Sequence, residues 1–139
     1  MNQTLIFAPM GAAAALTFAV LLLVPIARFR AAFAGQVTAE DFKLGESATV
    51  PPGVSIPNRN YMNLLELPTL FFPVCLMFYV THRVDGAVLF TAWAFVALRV
   101  LHSAIHLTYN NVFHRLTAFA AANLALATLW AMFFVRAPS

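Results

Sequence analysis

Charged residues are scarce in this sequence. Only 9% of the 139 residues are charged and 62% are hydrophobic, whereas an ordinary soluble domain has roughly 25% charged residues. The mean hydropathy is +0.81. A chain with so little charge cannot cover itself with a hydrated surface, so an ordinary soluble globular fold is excluded and lipid is the expected solvent.

Cysteine is nearly absent as well. Cys75 is the single cysteine, which excludes an internal disulfide and any metal site built from several thiolates. Its neighbours Phe72, Val74, Leu76 and Met77 are apolar. We therefore interpret it as an inert thiol in the apolar interior rather than as a nucleophile.

A basic run is also lacking, although the net charge is +3 and the isoelectric point is about 9.6. The eight Lys and Arg residues are spread along the chain, so nucleic acid is not an expected partner. Residues 1–4 carry no Lys or Arg ahead of the first apolar run, which argues against a cleaved signal peptide. We expect that run to remain as a membrane-spanning helix.

Four apolar segments are long enough to cross a bilayer, which requires about 20 residues per helix. The first ends at the basic sequence Arg28-Phe29-Arg30. After it, mixed charges and a cluster of prolines between residues 51 and 57 indicate the one substantial aqueous loop. The sequence predicts an all-α integral membrane protein, a single membrane domain of residues 1–139, with a bundle of four transmembrane helices at about 5–27, 59–81, 87–108 and 112–135 and a cytoplasmic loop at about 28–58.

Basic residues are unevenly distributed between the two ends of the predicted bundle. The second turn holds only Arg83 and the C-terminus only Arg136. The first loop and its flanks hold more: Arg28, Arg30, Lys43 and Arg59. The positive-inside rule then places the first and third loops in the cytoplasm and both termini on the other side.

Polar residues interrupt the second and third helices where lipid should exclude them. Two sets recur with helical spacing, so each shares one helix face: Arg59, Asn63 and Glu66 on the second helix, and Arg99, His102 and His106 on the third. An unpaired Arg or Glu in hydrocarbon costs at least about 2.5 kcal/mol. We therefore expect the faces to turn toward each other and Glu66 to form an ion pair with Arg99. Such a pair could simply hold the helices together, but two residues would suffice for that and six are present, which favours a functional site.

Arg115 lies in the first turn of the predicted fourth helix, where a cation opposes the helix dipole. Contact with anionic lipid at the cytoplasmic surface would offset this cost. Contact with an anionic ligand would do the same, and both interpretations stay open.

These motifs resemble the MAPEG family, the membrane-associated proteins in eicosanoid and glutathione metabolism. The second helix of that family carries an Arg followed by Asn-x-x-Glu, which is similar to Arg59 and Asn63-Leu64-Leu65-Glu66. A later Arg-Val-x-His motif resembles Arg99-Val100-Leu101-His102. The Arg-x-Arg that closes the first helix resembles Arg28-Phe29-Arg30, so the resemblance spans most of the chain.

The resemblance implies a four-helix protomer in a homotrimer, with glutathione as co-substrate bound between subunits in the cytoplasmic half. It implies a glutathione-dependent transferase or peroxidase that acts on a lipophilic electrophile arriving through the bilayer. Arg115 and His106 are the implied catalytic residues, since an Arg beside the thiol favours the thiolate. The implied glutathione contacts are Arg28, Arg59, Asn63, Glu66, Arg99 and His102, whose several cations suit an anionic peptide.

One departure from the family pattern bears on the reaction. Members that act on eicosanoids usually carry a Tyr seven residues after the Arg that Arg99 matches, and this chain has His106 there. Eicosanoid synthesis is therefore not expected. Residues 102–115 resemble a bacterial branch of the family, which implies the bacterial inner membrane.

Two other functions are compatible with the same residues. His102 and His106 have the i, i+4 spacing by which one helix offers two imidazoles to a metal, with His114 or Glu66 as a third ligand. That spacing alone does not define a metal site, and we assign none. A non-catalytic membrane scaffold or accessory subunit, which binds lipid or a larger complex, is the second alternative.

Overall fold

The computed structural model describes residues 1–135, so Arg136 lies outside the described residues. Within them there are α-helices and short 3-10 turns but no β-strand, and four helical segments are long and apolar enough to cross a membrane. The predicted all-α fold with four spans is confirmed. The spans are Gln3–Phe33, Pro52–Val80, Gly86–Leu107 and Val112–Val135. The α-helices within them are α1 (Phe7–Phe33), α2 (Pro52–Leu65), α3 (Phe71–Val80), α4 (Gly86–Leu107) and α5 (Val112–Val135).

Helix α1 continues past the basic sequence that was expected to end the first helix at residue 27. It ends at Phe33, where Gly35 adopts a left-handed φ of 69°. The amide of Gln36 donates to the carbonyl of Ala31 at 2.9 Å, and that of Gly35 to Ala32 at 3.0 Å. This is a Schellman motif, so the glycine and not the charge sets the end of the helix.

Helix α2 begins at Pro52 rather than near residue 59, and residues 52–58 therefore do not belong to the loop expected at 28–58. Proline is favoured at the first position of a helix because its φ is already helical and its missing N–H would have no partner there. Pro57 lies in the second turn of α2. The prolines between residues 51 and 57 thus start a helix instead of preventing one.

The second span is broken at Glu66. Helix α2 ends at Leu65, and Glu66 has a ψ of −122°, because Pro68 has no N–H to donate back into the helix. The amide and hydroxyl of Thr69 donate to the Glu66 carbonyl at 3.0 and 2.6 Å. A 3-10 turn, Leu67–Leu70, then leads into α3. The chain therefore leaves the axis of α2 directly after Glu66, which is the C-cap of that helix.

Helices α4 and α5 form a hairpin around the turn at residues 108–111. Asp85 caps the start of α4 by accepting from the Val88 amide at 2.8 Å, and Asn111 accepts from the Phe113 and His114 amides in the first turn of α5. One half of the bundle is an apolar core that contains the fully buried Cys75 thiol. Its buried members include Ile6, Phe71, Val74, Phe78, Val88, Phe95, Ala122 and Leu129.

The aqueous segment at residues 34–51 is folded onto α1 and α2. A small apolar cluster of Ala31, Val37, Val50 and Val54 holds it in place. Inside the segment, Asp41 accepts hydrogen bonds from the backbone amide and hydroxyl of Thr38 and from the hydroxyls of Ser47 and Thr49. The Asp41 carboxylate is therefore the main polar anchor of this loop.

Acid is expected to loosen the loop through Asp41. The hydrogen bond from the Thr38 amide, and then those from Ser47 and Thr38 hydroxyls, lower the pKa of Asp41 from 3.8 to about 2. Because the folded state lowers this pKa, its stabilising contribution is complete above about pH 4 and is lost as the pH falls through about 2. The protection of residues 38–50 against amide hydrogen exchange, corrected for the intrinsic pH dependence of exchange, should fall over that interval. In Asp41→Asn the exchange should be faster already at pH 6 and should lack the acid-dependent step; an acid-dependent step of unchanged size in this variant would contradict the assignment.

Candidate functional site

Buried polar side chains collect in one half of the bundle, where α2, the second half of α4 and the first turns of α5 meet; we call this region the polar half. Arg99 and His102 are each 2% exposed and His106 is 3% exposed. All three lie on the inward face of α4, as their i, i+3, i+7 spacing predicts. Ser103, which the sequence analysis did not name, is buried beside them at 2%.

Arg99 is buried without an ion pair. Its Nη2 donates to the backbone carbonyl of Asn63 at 3.1 Å, while its Nε and Nη1 have no hydrogen-bond partner among the described residues. Glu66 is exposed and close enough to act electrostatically on Arg99, but no contact of 4.0 Å or less joins the two. The predicted ion pair is therefore wrong, since the Glu66 side chain is exposed while the Arg99 guanidinium is buried.

Arg115 and His106, the two residues implied as catalytic, contact each other. Arg115 Nη1 lies 3.4 Å from His106 Nε2 and donates to Asn110 Oδ1 at 2.7 Å. A guanidinium has no acceptor, so His106 must accept at Nε2 and carry its proton on Nδ1. That Nδ1 atom is buried without a hydrogen-bond partner in the part of the chain the structure describes. His106 is thus the longer of the two contacts that the Arg115 side chain makes.

A cavity of about 210 Å³ opens beside these groups. Asn63, His102 and Arg115 give it a polar wall, and Phe119 closes it on the α5 side. The Phe119 ring centroid lies 5.8 Å from the Arg99 guanidinium carbon and also 5.8 Å from the His102 ring centroid. The cavity is therefore cationic on one side and apolar on the other.

A second cavity of about 200 Å³ lies next to the first, toward the aqueous loop. Arg59 and Asn110 both line it, and Arg59 is exposed. Asn110 also holds Arg115, so this side chain lines the second cavity and contacts a residue that lines the first. Arg59 is therefore placed where an anion would approach the site from the loop side.

Two of the implied glutathione contacts lie apart from these cavities. Arg28 forms an ion pair with Glu46 at 3.5 Å and lies over the ring of Phe42 at 4.5 Å, so it holds the aqueous loop in this chain. Glu66 is exposed at the helix break. The structure thus brings together Asn63, Arg99 and His102 with Arg115 and His106, places Arg59 beside them, and leaves Arg28 and Glu66 outside.

Sequence reasoning missed several residues that build the site. Ser103 Oγ donates to Asn60 Oδ1 at 3.2 Å across the interface between α2 and α4, and both residues are buried. The sequence pattern could have identified both residues, since Asn60 is three residues before Asn63 and Ser103 follows His102. For Asn110 no spacing rule applies, because it lies in a turn and not on a helix face.

A metal site at His102 and His106 would require a third ligand side chain to lie close to both imidazoles. The His102 and His106 rings lie edge to face with centroids 5.9 Å apart, whereas His114 is exposed and its Nδ1 is hydrogen-bonded to the Tyr109 hydroxyl at 3.0 Å. No group of three or more His, Cys, Asp or Glu side chains within residues 1–135 is placed to hold a metal ion.

Four membrane-spanning segments around an Arg- and His-lined interior define the class of protein: a small helical membrane protein with a polar site inside the bundle. The MAPEG family model matches residues 6–135, so the chain belongs to the MAPEG family. No curated protein and no solved structure matches the chain. The family resemblance drawn from the motifs is therefore confirmed.

Proposed function

We propose that this protein is a glutathione-dependent transferase or peroxidase that acts on lipophilic electrophiles. The observation that carries the proposal is the Arg115 guanidinium at a cavity whose polar wall includes Asn63 and His102. Buried Arg99, whose Nε and Nη1 have no partner among the described residues, donates to the carbonyl of Asn63, one of the residues that line this cavity. Members of the MAPEG family often use glutathione.

The donor set fits glutathione. The tripeptide has two carboxylates, one amine and one thiol, so its net charge is negative. Arg99 Nε and Nη1 are buried N–H groups without an acceptor among residues 1–135, and leaving such groups unpaired costs about 1–3 kcal/mol each. A bound carboxylate would accept from one of them in a charge-assisted hydrogen bond. Nε and Nη1 lie on different edges of the guanidinium, so the other would need a second acceptor on the ligand. Exposed Arg59 offers a second cation near the aqueous loop.

The chain's own residues would orient and activate the thiol. Arg115 places positive charge at the cavity, which favours a thiolate over a thiol. His106 and Asn110 hold that guanidinium, and Phe119 closes the cavity on one side. In the transferase reaction, the sulfur of bound glutathione would bond to an electrophilic carbon as the leaving group departs with the bonding electrons. In the peroxidase reaction, two glutathione molecules would reduce a hydroperoxide to an alcohol and water and would become the disulfide.

We also propose the homotrimer and the membrane orientation. A cavity of about 210 Å³ is smaller than the roughly 300–1,000 Å³ of sites that enclose a whole drug-sized ligand. One chain would then enclose only part of a tripeptide, and a neighbouring subunit would complete the site. The basic residues around the first loop support a cytoplasmic polar half in a bacterial inner membrane, with both termini on the non-cytoplasmic side.

The test is glutathione binding to the full chain in detergent or nanodiscs, measured by calorimetry and by thermal stability. A ligand of the native state must raise the unfolding temperature by mass action. Arg83→Gln is the control for the loss of one positive charge away from the cavity, because Arg83 lies at the end of α4 opposite the polar half and donates to the Phe133 carbonyl. Binding by both proteins, with turnover of a lipophilic halide or hydroperoxide, is the expected result. No binding at millimolar glutathione would favour the lipid-binding scaffold instead.

A further inference from the structure

We propose that Asn110 is a positioning residue that fixes the Arg115 guanidinium at the cavity while leaving its charge uncompensated. Asn110 Oδ1 accepts from Arg115 Nη1 at 2.7 Å, the shortest of the contacts that the structure gives this side chain. The other contact, to His106 Nε2, is longer at 3.4 Å. Asn110 therefore provides the closer of the two anchors for the cation.

The backbone of Asn110 is held in a defined conformation by the turn after α4. Its φ is 47°, in the left-handed region, and its amide donates to the Ile105 carbonyl at 2.8 Å, which ends α4. Left-handed backbone is unfavourable for most L-residues, and Gly, Asn and Asp are the residues that adopt it most readily. This backbone conformation fixes the position of the Asn110 Cβ, from which the side-chain oxygen reaches Arg115 Nη1.

Of the three residues that suit this backbone, only asparagine accepts a hydrogen bond from Arg115 without carrying a charge. Glycine has no acceptor for Arg115. Aspartate has one, but it would form an ion pair with the guanidinium and cancel the charge that an anion would meet. Arg115 has no ion pair of 4.0 Å or less among residues 1–135. The neutral amide thus orients the cation without neutralising it.

The effect on the ligand rests on the proposed function, so the test has one readout that needs no ligand. In nitrogen-15 arginine spectra of the full chain in nanodiscs, an anchored guanidinium rotates slowly and gives separate Nη signals. Asn110→Gly should merge the Arg115 signals while leaving the unfolding temperature unchanged or higher, because glycine accepts a positive φ. Asn111→Gly is the matched control: it removes the cap of α5 and should lower stability but keep the Arg115 signals separate.

The second readout is the binding of glutathione and the thiolate absorbance of the bound ligand. A hydrogen bond to a charged group is worth enough that Asn110→Gly should weaken glutathione binding about tenfold. Asn110→Asp should keep separate Arg115 signals and yet lose the thiolate absorbance of bound glutathione. Unchanged arginine spectra in Asn110→Gly would overturn the positioning role. Merged spectra in that variant, together with a wild-type protein that binds no glutathione, would support the positioning role and refute the proposed function instead.

Discussion

Replacing Arg99 with methionine is expected to stabilise the ligand-free protein and to abolish glutathione binding. Arg99 is 2% exposed, and two of its three guanidinium nitrogens have no partner among the described residues. Exchanging a poorly compensated buried charge for an apolar side chain of similar length is often stabilising, by about 1–3 kcal/mol. The Asn63 carbonyl loses one donor in this variant, which offsets part of the gain. The measurement is the unfolding temperature in detergent with and without glutathione.

Arg30→Met is the matched control for this result. Arg30 is exposed on α1, so its replacement should change stability by no more than about 0.5 kcal/mol and should leave glutathione binding intact. A less stable Arg99→Met protein would mean that Arg99 is better compensated in the membrane than its contacts indicate. An Arg99→Met protein that still binds glutathione would remove Arg99 from the binding site.

Helix bounds were predicted most accurately where the hydrophobic pattern and the capping or turn residues indicate the same helix ends. For α4 and α5 the expected bounds, 87–108 and 112–135, lie within one residue of Gly86–Leu107 and Val112–Val135. Asp85 and Asn111 are capping residues at the two helix starts, and such residues mark helix starts in the sequence. The second span was harder, because proline can start a helix or break one. Pro52 starts α2 and Pro68 breaks the span.

The same distinction explains which part of the site could be predicted. The inward face of Arg99, His102 and His106 follows from helical spacing, since α4 is unbroken through all three. The pairing of Glu66 with Arg99 failed because helical spacing places side chains on a face but does not determine whether their charged ends meet. The role of Asn110 depends on a turn that brings α4 and α5 side by side, and no one-dimensional spacing describes that contact.

Replacing Arg115 with glutamine is expected to lower kcat about 10²- to 10³-fold with a much smaller effect on stability. Removing one preorganised donor that stabilises charge at the reacting atom typically costs that much. Stability should change less than kcat because Arg115 and its closer partner Asn110 are both only partly buried, although its other contact, His106, is 3% exposed. The thiolate absorbance of bound glutathione should disappear, while calorimetry should still detect binding through Arg99 and Arg59.

Arg115→Lys separates charge from geometry in the same experiment. Lysine keeps the cation but has no planar fork to reach Asn110 and the cavity together, so we expect it to recover part of the thiolate signal and less of kcat. If the thiolate signal survives in Arg115→Gln at full strength, the activating cation must be another residue. Arg59, whose side chain lines the adjoining cavity with Asn110, is then the next to replace, because it is the other exposed cation on the path that an anionic ligand would take.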